Sequence, residues 1–168
     1  TDRVKRIVQD LKEFSHVDKA EKAFCNVNKG LETTLNIVRN EIKYKIEVVK
    51  EYGEIPDLLC HPQELNQVFM NLIVNASHAI EKNGKITIRT HADTENIYVE
   101  ISDSGHGIPD EIKDRIFDPF FTTKPVGIGT GLGLSISYGI VRKHDGDITV
   151  NSKVGEGTTF IVRIPIGK

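Results

Sequence analysis

The chain has 168 residues, with 22 Lys and Arg against 24 Asp and Glu, for a formal net charge of -2. At 38% hydrophobic and 27% charged it is sized and composed for one globular domain, and its near-neutral balance gives no basis for a nucleic-acid or lipid surface. Cys25 and Cys60 are too few for a disulfide framework or a cysteine metal cluster and read as buried small apolar residues; no apolar run reaches the length of a membrane span. Met70 is the only methionine, so a chain that starts at Thr1 reads as a piece of a longer protein.

Within residues 1–22, Val4, Ile7, Val8, Leu11 and Phe14 recur at helical spacing, giving an amphipathic helix that ends near Ser15. Two readings fit it equally: the tail of a neighbouring, dimerising element, or a helix packed on its own domain. Ala23 to Val27 suits a short edge strand, and Asn28 to Lys43 a helix with Leu31, Leu35, Val38 and Ile42 on one face. Lys45 to Lys50 and Asp57 to Cys60 are short strands, and Pro62 opens a long helix to about Lys82. Asn83-Gly84 turns that helix into a strand from Lys85 to His91, which pairs through Thr94 to Asn96 with Ile97 to Ser102. Leu132 to Lys143 is helical, and Asp147 to Ser152 closes on Thr158 to Ile164 through Gly155-Glu156-Gly157. The order predicts an α+β fold: a two-layer α/β sandwich whose mixed, mostly antiparallel sheet is covered on one face by helices.

The stretch from Asp103 to Gly133 organises the rest. DSGHG (Asp103 to Gly107) and GIGTGLG (Gly127 to Gly133) flank a segment carrying FDPFF (Phe117 to Phe121), the pattern of a nucleotide site with a lid. The glycine run enters a helix, where backbone N–H groups are free to receive phosphate. Other nucleotide schemes fail: Gly84-Lys85 is followed by Ile86 rather than Ser or Thr, GxGxxG is broken by Leu132, and the protein-kinase catalytic motifs and HExxH are absent.

In NLIVNASHA, Asn71 and Asn75 stand one helical turn apart. They suit either a Mg²⁺ site, where a neutral amide oxygen does not repel phosphate, or a pair of surface or cap-bonding amides. Asp103 suits an acceptor for an exocyclic amino group, which favours adenine over guanine; alone, Asp-Ser-Gly reads as a strand-end turn. His78 leans toward a phosphate or is a solvated side chain, and Lys124 neutralises a phosphate or is a solvated lid charge. Phe117, Phe120 and Phe121 read as lid residues packing into the core.

Together these residues resemble the catalytic ATP-binding domain of bacterial two-component sensor histidine kinases, in the superfamily of gyrase B, MutL and the heat-shock chaperones. NLIVNASHA resembles the asparagine box, DSGHG the first glycine box, FDPFFTTK the phenylalanine box, GTGLGLSI the second glycine box and GEGTTF the third, in the family's order. The resemblance covers residues 23–168 and implies a Bergerat-type fold. It implies that Asn75 holds Mg²⁺, with Asn71 near the phosphates, both in catalytic roles, and that Asp103 binds the adenine amino group. It further implies an adenine pocket shaped by Gly105, Gly107 and Ile108, and a phosphate loop of Gly129, Thr130, Gly131 and Gly133 with Leu132 and Leu134 starting the helix beneath. His78 and Lys124 join the nucleotide contacts, Thr158 reaches adenine through water, and Ile108 to Ile128 form the ATP lid.

The implied activity is transfer of the ATP γ-phosphoryl group to a histidine on a dimerisation domain, for signalling to a response-regulator receiver domain. Residues 1–22 then read as the end of that dimerisation domain plus a linker, in a cytoplasmic part of a homodimeric parent, with no membrane or nucleic-acid contact by this piece. The acceptor-histidine box is absent: Val17 follows His16 where the family has an acidic residue. The competing functions are a superfamily ATPase or serine-directed anti-sigma kinase, which place a glutamate where Asn71 stands, and a non-catalytic nucleotide-sensing module.

Overall fold

The computed structural model describes residues 4, 5, 7, 21–42, 46–121 and 132–166. Of the N-terminal helix only Val4, Lys5 and Ile7 are described, and they are helical. The lid expectations for residues 122–131, His16 and the linker before Glu21 lie outside the described residues.

Among the described residues seven strands and three α-helices follow: β1 (Ala23–Cys25), α1 (Val27–Val38), β2 (Ile46–Tyr52), β3 (Leu58–Cys60), α2 (Pro62–Ala79), β4 (Gly84–Ala92), β5 (Asn96–Asp103), α3 (Gly133–Lys143), β6 (Asp147–Lys153) and β7 (Gly157–Pro165). The main sheet runs β2-β4-β5-β7-β6, with β2 parallel to β4 and every other neighbour antiparallel. β1 and β3 form a separate antiparallel pair. The expected two-layer α+β sandwich with a mixed sheet is therefore what forms.

Alternation decides which face is covered. Ile86, Ile88 and Thr90 of β4, Ile97, Val99 and Ile101 of β5, and Phe160, Val162 and Ile164 of β7 are all buried. Their neighbours on the other face include Arg89, which bonds Glu51 at 2.7 Å, and His91, which lies 2.8 Å from Glu100. Helices close the buried side with Leu31 and Leu35 of α1, Leu65, Phe69, Leu72 and Ile73 of α2, and Ile136 and Ile140 of α3.

Local signals set the helix ends. Asn26 stops the expected edge strand at Cys25, because its side chain accepts the Lys29 N–H and caps α1. The α1 pattern, expected to reach Lys43, tightens into a 3-10 turn at Arg39–Glu41. α2 ends at Ala79, short of Lys82, because the Ala79 carbonyl accepts the His106 N–H instead of continuing the helix. The two cysteines correct the expectation of isolated apolar residues. Pairing of β1 with β3 brings them together as a disulfide, with Cα atoms 7.0 Å apart; Cys60 is buried and Cys25 half-buried.

The start of α2 is fastened to the end of α3. The His61 backbone N–H donates to His144 Nε2 at 3.0 Å, while His144 Nδ1 donates to the Ile140 carbonyl at 2.8 Å. That geometry requires a neutral His144. Beside it the buried Glu64 carboxylate accepts from Lys143 at 2.9 Å. Burial holds the His144 pKa below its ordinary 6.5, so the unfolded chain takes up this proton first. The stability it contributes is present above that ordinary value and is lost as pH falls through it. Urea unfolding at stepped pH should show stability falling below about pH 6.5, with a smaller fall in His144→Gln. An equal fall in the variant would contradict this role.

Candidate functional site

One side of α2 carries the organising stripe, because Asn71, Asn75 and Ala79 follow at four-residue intervals. At one end the Asn71 amide Nδ2 donates to the Gly133 carbonyl at 3.1 Å and to Ser137 Oγ at 3.2 Å, tying α2 to the first turn of α3. Gln67 Nε2 donates to Asn71 Oδ1 at 3.1 Å, which fixes the way the amide faces. Ser137 Oγ completes the knot by donating to the Gly133 carbonyl at 2.8 Å. At the other end, the Ala79 carbonyl accepts the His106 N–H at 3.0 Å. Gly105 approaches the same carbonyl so closely that a Cβ would collide with it. Asn75 is therefore bracketed between the turn after β5 and the start of α3.

Asp103 ends β5, the central strand, directly opposite Thr158 of β7, which is in turn opposite Ser152 of β6. Cross-strand partners share a face, so the three side chains form one row. Asp103 Oδ1 accepts the Gly105 N–H at 2.8 Å. Desolvation pushes this carboxyl above the usual range, against the backbone N–H groups of Gly105 and Thr158 and the pull of His106. A cavity of about 450 Å³ opens here, lined by Asp103, Lys113, Ser152, Gly157 and Thr158 among others. A partly desolvated acceptor lining a cavity makes Asp103 a candidate binding group.

The turn that follows is built onto the β6–β7 hairpin. Gly107 sits at φ 79, and a Cβ there would strike the Lys153 carbonyl, so only glycine lets the chain pass. The Ile108 N–H donates to Ser152 Oγ at 2.7 Å. Lys113 Nζ donates to the Ser152 carbonyl at 2.7 Å and pairs with Asp110.

The structure thus gathers Asn71, Asn75, Asp103, Gly105, Gly107, Ile108, Leu132, Gly133 and Thr158 around α2 and the ends of β5 and β7. Leu132 is buried just before α3 and Leu134 is half-buried in its first turn. α3 starts without a side-chain cap, leaving its first N–H groups to other acceptors. His78 is half-buried in the last turn of α2. Lys124, Gly129, Thr130 and Gly131 fall in the stretch left undescribed.

The aromatic expectation needs correcting. Phe117 does pack inward, 5.4 Å from Tyr138 and 6.3 Å from Phe160, and Arg115 lies over the Phe121 ring at 4.8 Å. Phe120 is instead 56% exposed at φ 67, because the turn closed by the Phe121 N–H on the Asp118 carbonyl puts it at the tip.

Four further residues join the site: Gln67, Lys113, Ser137 and Ser152. Gln67 stands four residues before Asn71 and Ser137 four after Gly133, so helical spacing marks both. Ser152 becomes visible only through strand register, and Lys113 only through the packing of the 3-10 turn Asp110–Arg115 on β6.

Residues 60–168 match the family model described as histidine kinase-, DNA gyrase B- and HSP90-like ATPase. The chain is 36% identical over 169 residues to the signal transduction histidine-protein kinase AtoS of Escherichia coli K12, covering 98% of this chain and 27% of AtoS. It superposes on the catalytic domain of the histidine kinase ThkA with TM-score 0.78 and 34% identity, over 87% of this chain and 98% of that one. A second ThkA structure, solved with the response regulator TrrA, gives TM-score 0.80 and 30% identity over 98% of this chain and 48% of that one. The chain spans about a quarter of the length of AtoS, and well under half of sporulation kinase E of Bacillus subtilis.

Because burial raises the Asp103 pKa, the folded state holds that proton more tightly than the unfolded chain. The ionised carboxylate therefore costs stability at neutral pH, and the cost disappears as pH falls through its raised value. Asp103→Asn keeps an acceptor for the Gly105 N–H and removes the charge. It should melt above the native chain at pH 7, by a margin that shrinks toward pH 4; a lower melting temperature at pH 7 would show that the charge is instead well solvated.

Proposed function

Since this chain belongs to the histidine kinase-, DNA gyrase B- and HSP90-like ATPase family, and within it to the histidine kinase catalytic domains, we propose that it binds ATP with Mg²⁺ and passes the γ-phosphoryl group to a histidine on a dimerisation domain. The observation that carries this reading is the bracketing of Asn75 between the turn after β5 and the start of α3, on the same helix side that receives both.

Each part of a nucleotide then has a counterpart. Asp103 accepts from the adenine amino group, and Thr158 adds a second acceptor in the same row. Gly105, Gly107 and Ile108 form the pocket wall. The uncapped first turn of α3, with the glycine run before it, receives phosphate oxygens on backbone N–H groups. Among the described residues no three His, Cys, Asp or Glu side chains are placed together to hold a metal. A cation carried in with the phosphates fits that composition, with Asn75 as its neutral protein ligand and His78 beside it. When bound, Mg²⁺ neutralises phosphate charge. Asn71, whose amide nitrogen donates to the Gly133 carbonyl and Ser137 Oγ, holds α3 in place.

Phosphoryl transfer is mostly positioning and charge neutralisation. The bond from the γ-phosphorus to the β-phosphate oxygen breaks, a phosphorus–nitrogen bond to the acceptor imidazole forms, and ADP leaves. The acceptor is supplied by another domain, with residues 1–22 as its trailing end, and a response regulator takes the phosphoryl group onward. Fast hydrolysis is the weaker alternative. Glu64 lies two turns before Asn71 and is committed to Lys143 at 2.9 Å, so no carboxylate stands one turn before Asn75 to activate water.

Mixing the chain with ATP, Mg²⁺ and a separately supplied dimerisation domain should yield acid-labile, base-stable phosphohistidine. Asn75→Ala should cut the rate by at least about 100-fold. Rapid phosphate release without the acceptor domain, and no phosphohistidine with it, would favour the ATPase reading.

A further inference from the structure

Ser152 makes three contacts through a single hydroxyl. Its Oγ receives the Ile108 N–H at 2.7 Å, reaches the Gly157 carbonyl at 2.9 Å and lies 2.8 Å from Thr158 Oγ1. A serine hydroxyl offers one proton and two lone pairs. The backbone N–H of Ile108 can only donate, so it occupies one lone pair. The Gly157 carbonyl can only accept, so it takes the proton. One lone pair remains, and the contact to Thr158 is made only if Thr158 donates. The three bonds are compatible in that arrangement alone.

Thr158 is 5% exposed and lines the cavity beside Asp103. With its proton committed to Ser152, it presents only lone pairs to whatever enters. Asp103 is also an acceptor, with Oδ1 already receiving the Gly105 N–H. The row across β5, β7 and β6 is therefore a double acceptor whose polarity is set two strands away. Lys113 adds to its rigidity by bonding the Ser152 carbonyl at 2.7 Å.

We propose that Ser152 is a specificity-determining residue: by consuming the Thr158 proton it makes the base pocket accept from a 6-amino purine and reject a 6-oxo purine. The inference rests on the nucleotide reading above. With both acceptors set against position 6, where an amino group offers two N–H donors, a 6-oxo base brings a carbonyl instead, and an unmatched buried polar contact is among the strongest sources of discrimination. Without Ser152 Oγ the Thr158 hydroxyl turns freely and can donate to that carbonyl.

ATP and ITP differ at this edge of the base and share the rest of the nucleotide, so calorimetry with both reads the effect. Ser152→Ala should lower the ratio of ATP to ITP affinity by about tenfold, with tighter ITP binding contributing, and Ser152→Thr should restore it. Equal weakening of both nucleotides would overturn the proposal, leaving Ser152 as a fastener of the hairpin. Should Ser152→Ala fail to fold, Thr158→Val serves: the loss must fall on ATP, with ITP unchanged or improved, and parallel losses overturn the proposal. Absence of ATP binding by the native chain would sink the functional reading itself, whereas tight ATP binding with an unmoved ratio in Ser152→Ala sinks this inference alone.

Discussion

The packing of α2 against the sheet is the constraint on which the site depends. Phe69, Leu72 and Ile73 are buried beneath the helix, fixing its rotation. Once that rotation is set, Asn71, Asn75 and Ala79 must face the opposite layer of loops. Neither the turn after β5 nor the start of α3 holds its place alone. One is hung from the Ala79 carbonyl through the His106 N–H and the other from Asn71 through Gly133. A change that rolls α2 moves both relative to Asn75 at once.

The second theme is electrostatic. The site gathers acceptors where the sheet ends: Asp103 on β5, Thr158 on β7 and the hydroxyl of Ser152 on β6. Desolvation of Asp103 works against the folded state, and the raised pKa records it. Such a cost persists where binding needs the group, and a ligand that donates to the carboxylate relieves it. At the α2–α3 seam two buried polar side chains are paired. Glu64 has its lysine, and the His144 ring has a donor on one nitrogen and an acceptor on the other.

What could be read from the sequence follows the range of the forces involved. Helix starts are local, so Pro62 and the spacing of Asn71 and Asn75 located α2 and the side that carries both asparagines in advance. Period-two alternation gave β4, β5 and β7, and DSGHG gave the turn after β5. Strand pairing is a tertiary matter: nothing in Ile46 to Tyr52 announces that β2 runs parallel to β4. The same blindness hid Ser152, whose importance comes from standing opposite Thr158, and the meeting of Cys25 with Cys60. Asn71 shows the limit within a recognised motif. Its helical position was legible, yet its commitment to Gly133 and Ser137 depends on how α3 docks. Phe120 failed for a similar reason, because composition says aromatic and turn geometry says exposed.

A crystal structure of the chain with a non-hydrolysable ATP analogue and Mg²⁺ tests the central claim most directly. The account predicts the adenine amino group within hydrogen-bond distance of the Asp103 carboxylate and the metal beside the Asn75 amide oxygen, with the phosphates at the start of α3. A nucleotide bound away from the Asp103–Thr158–Ser152 row, or a metal with no contact to Asn75, would contradict it.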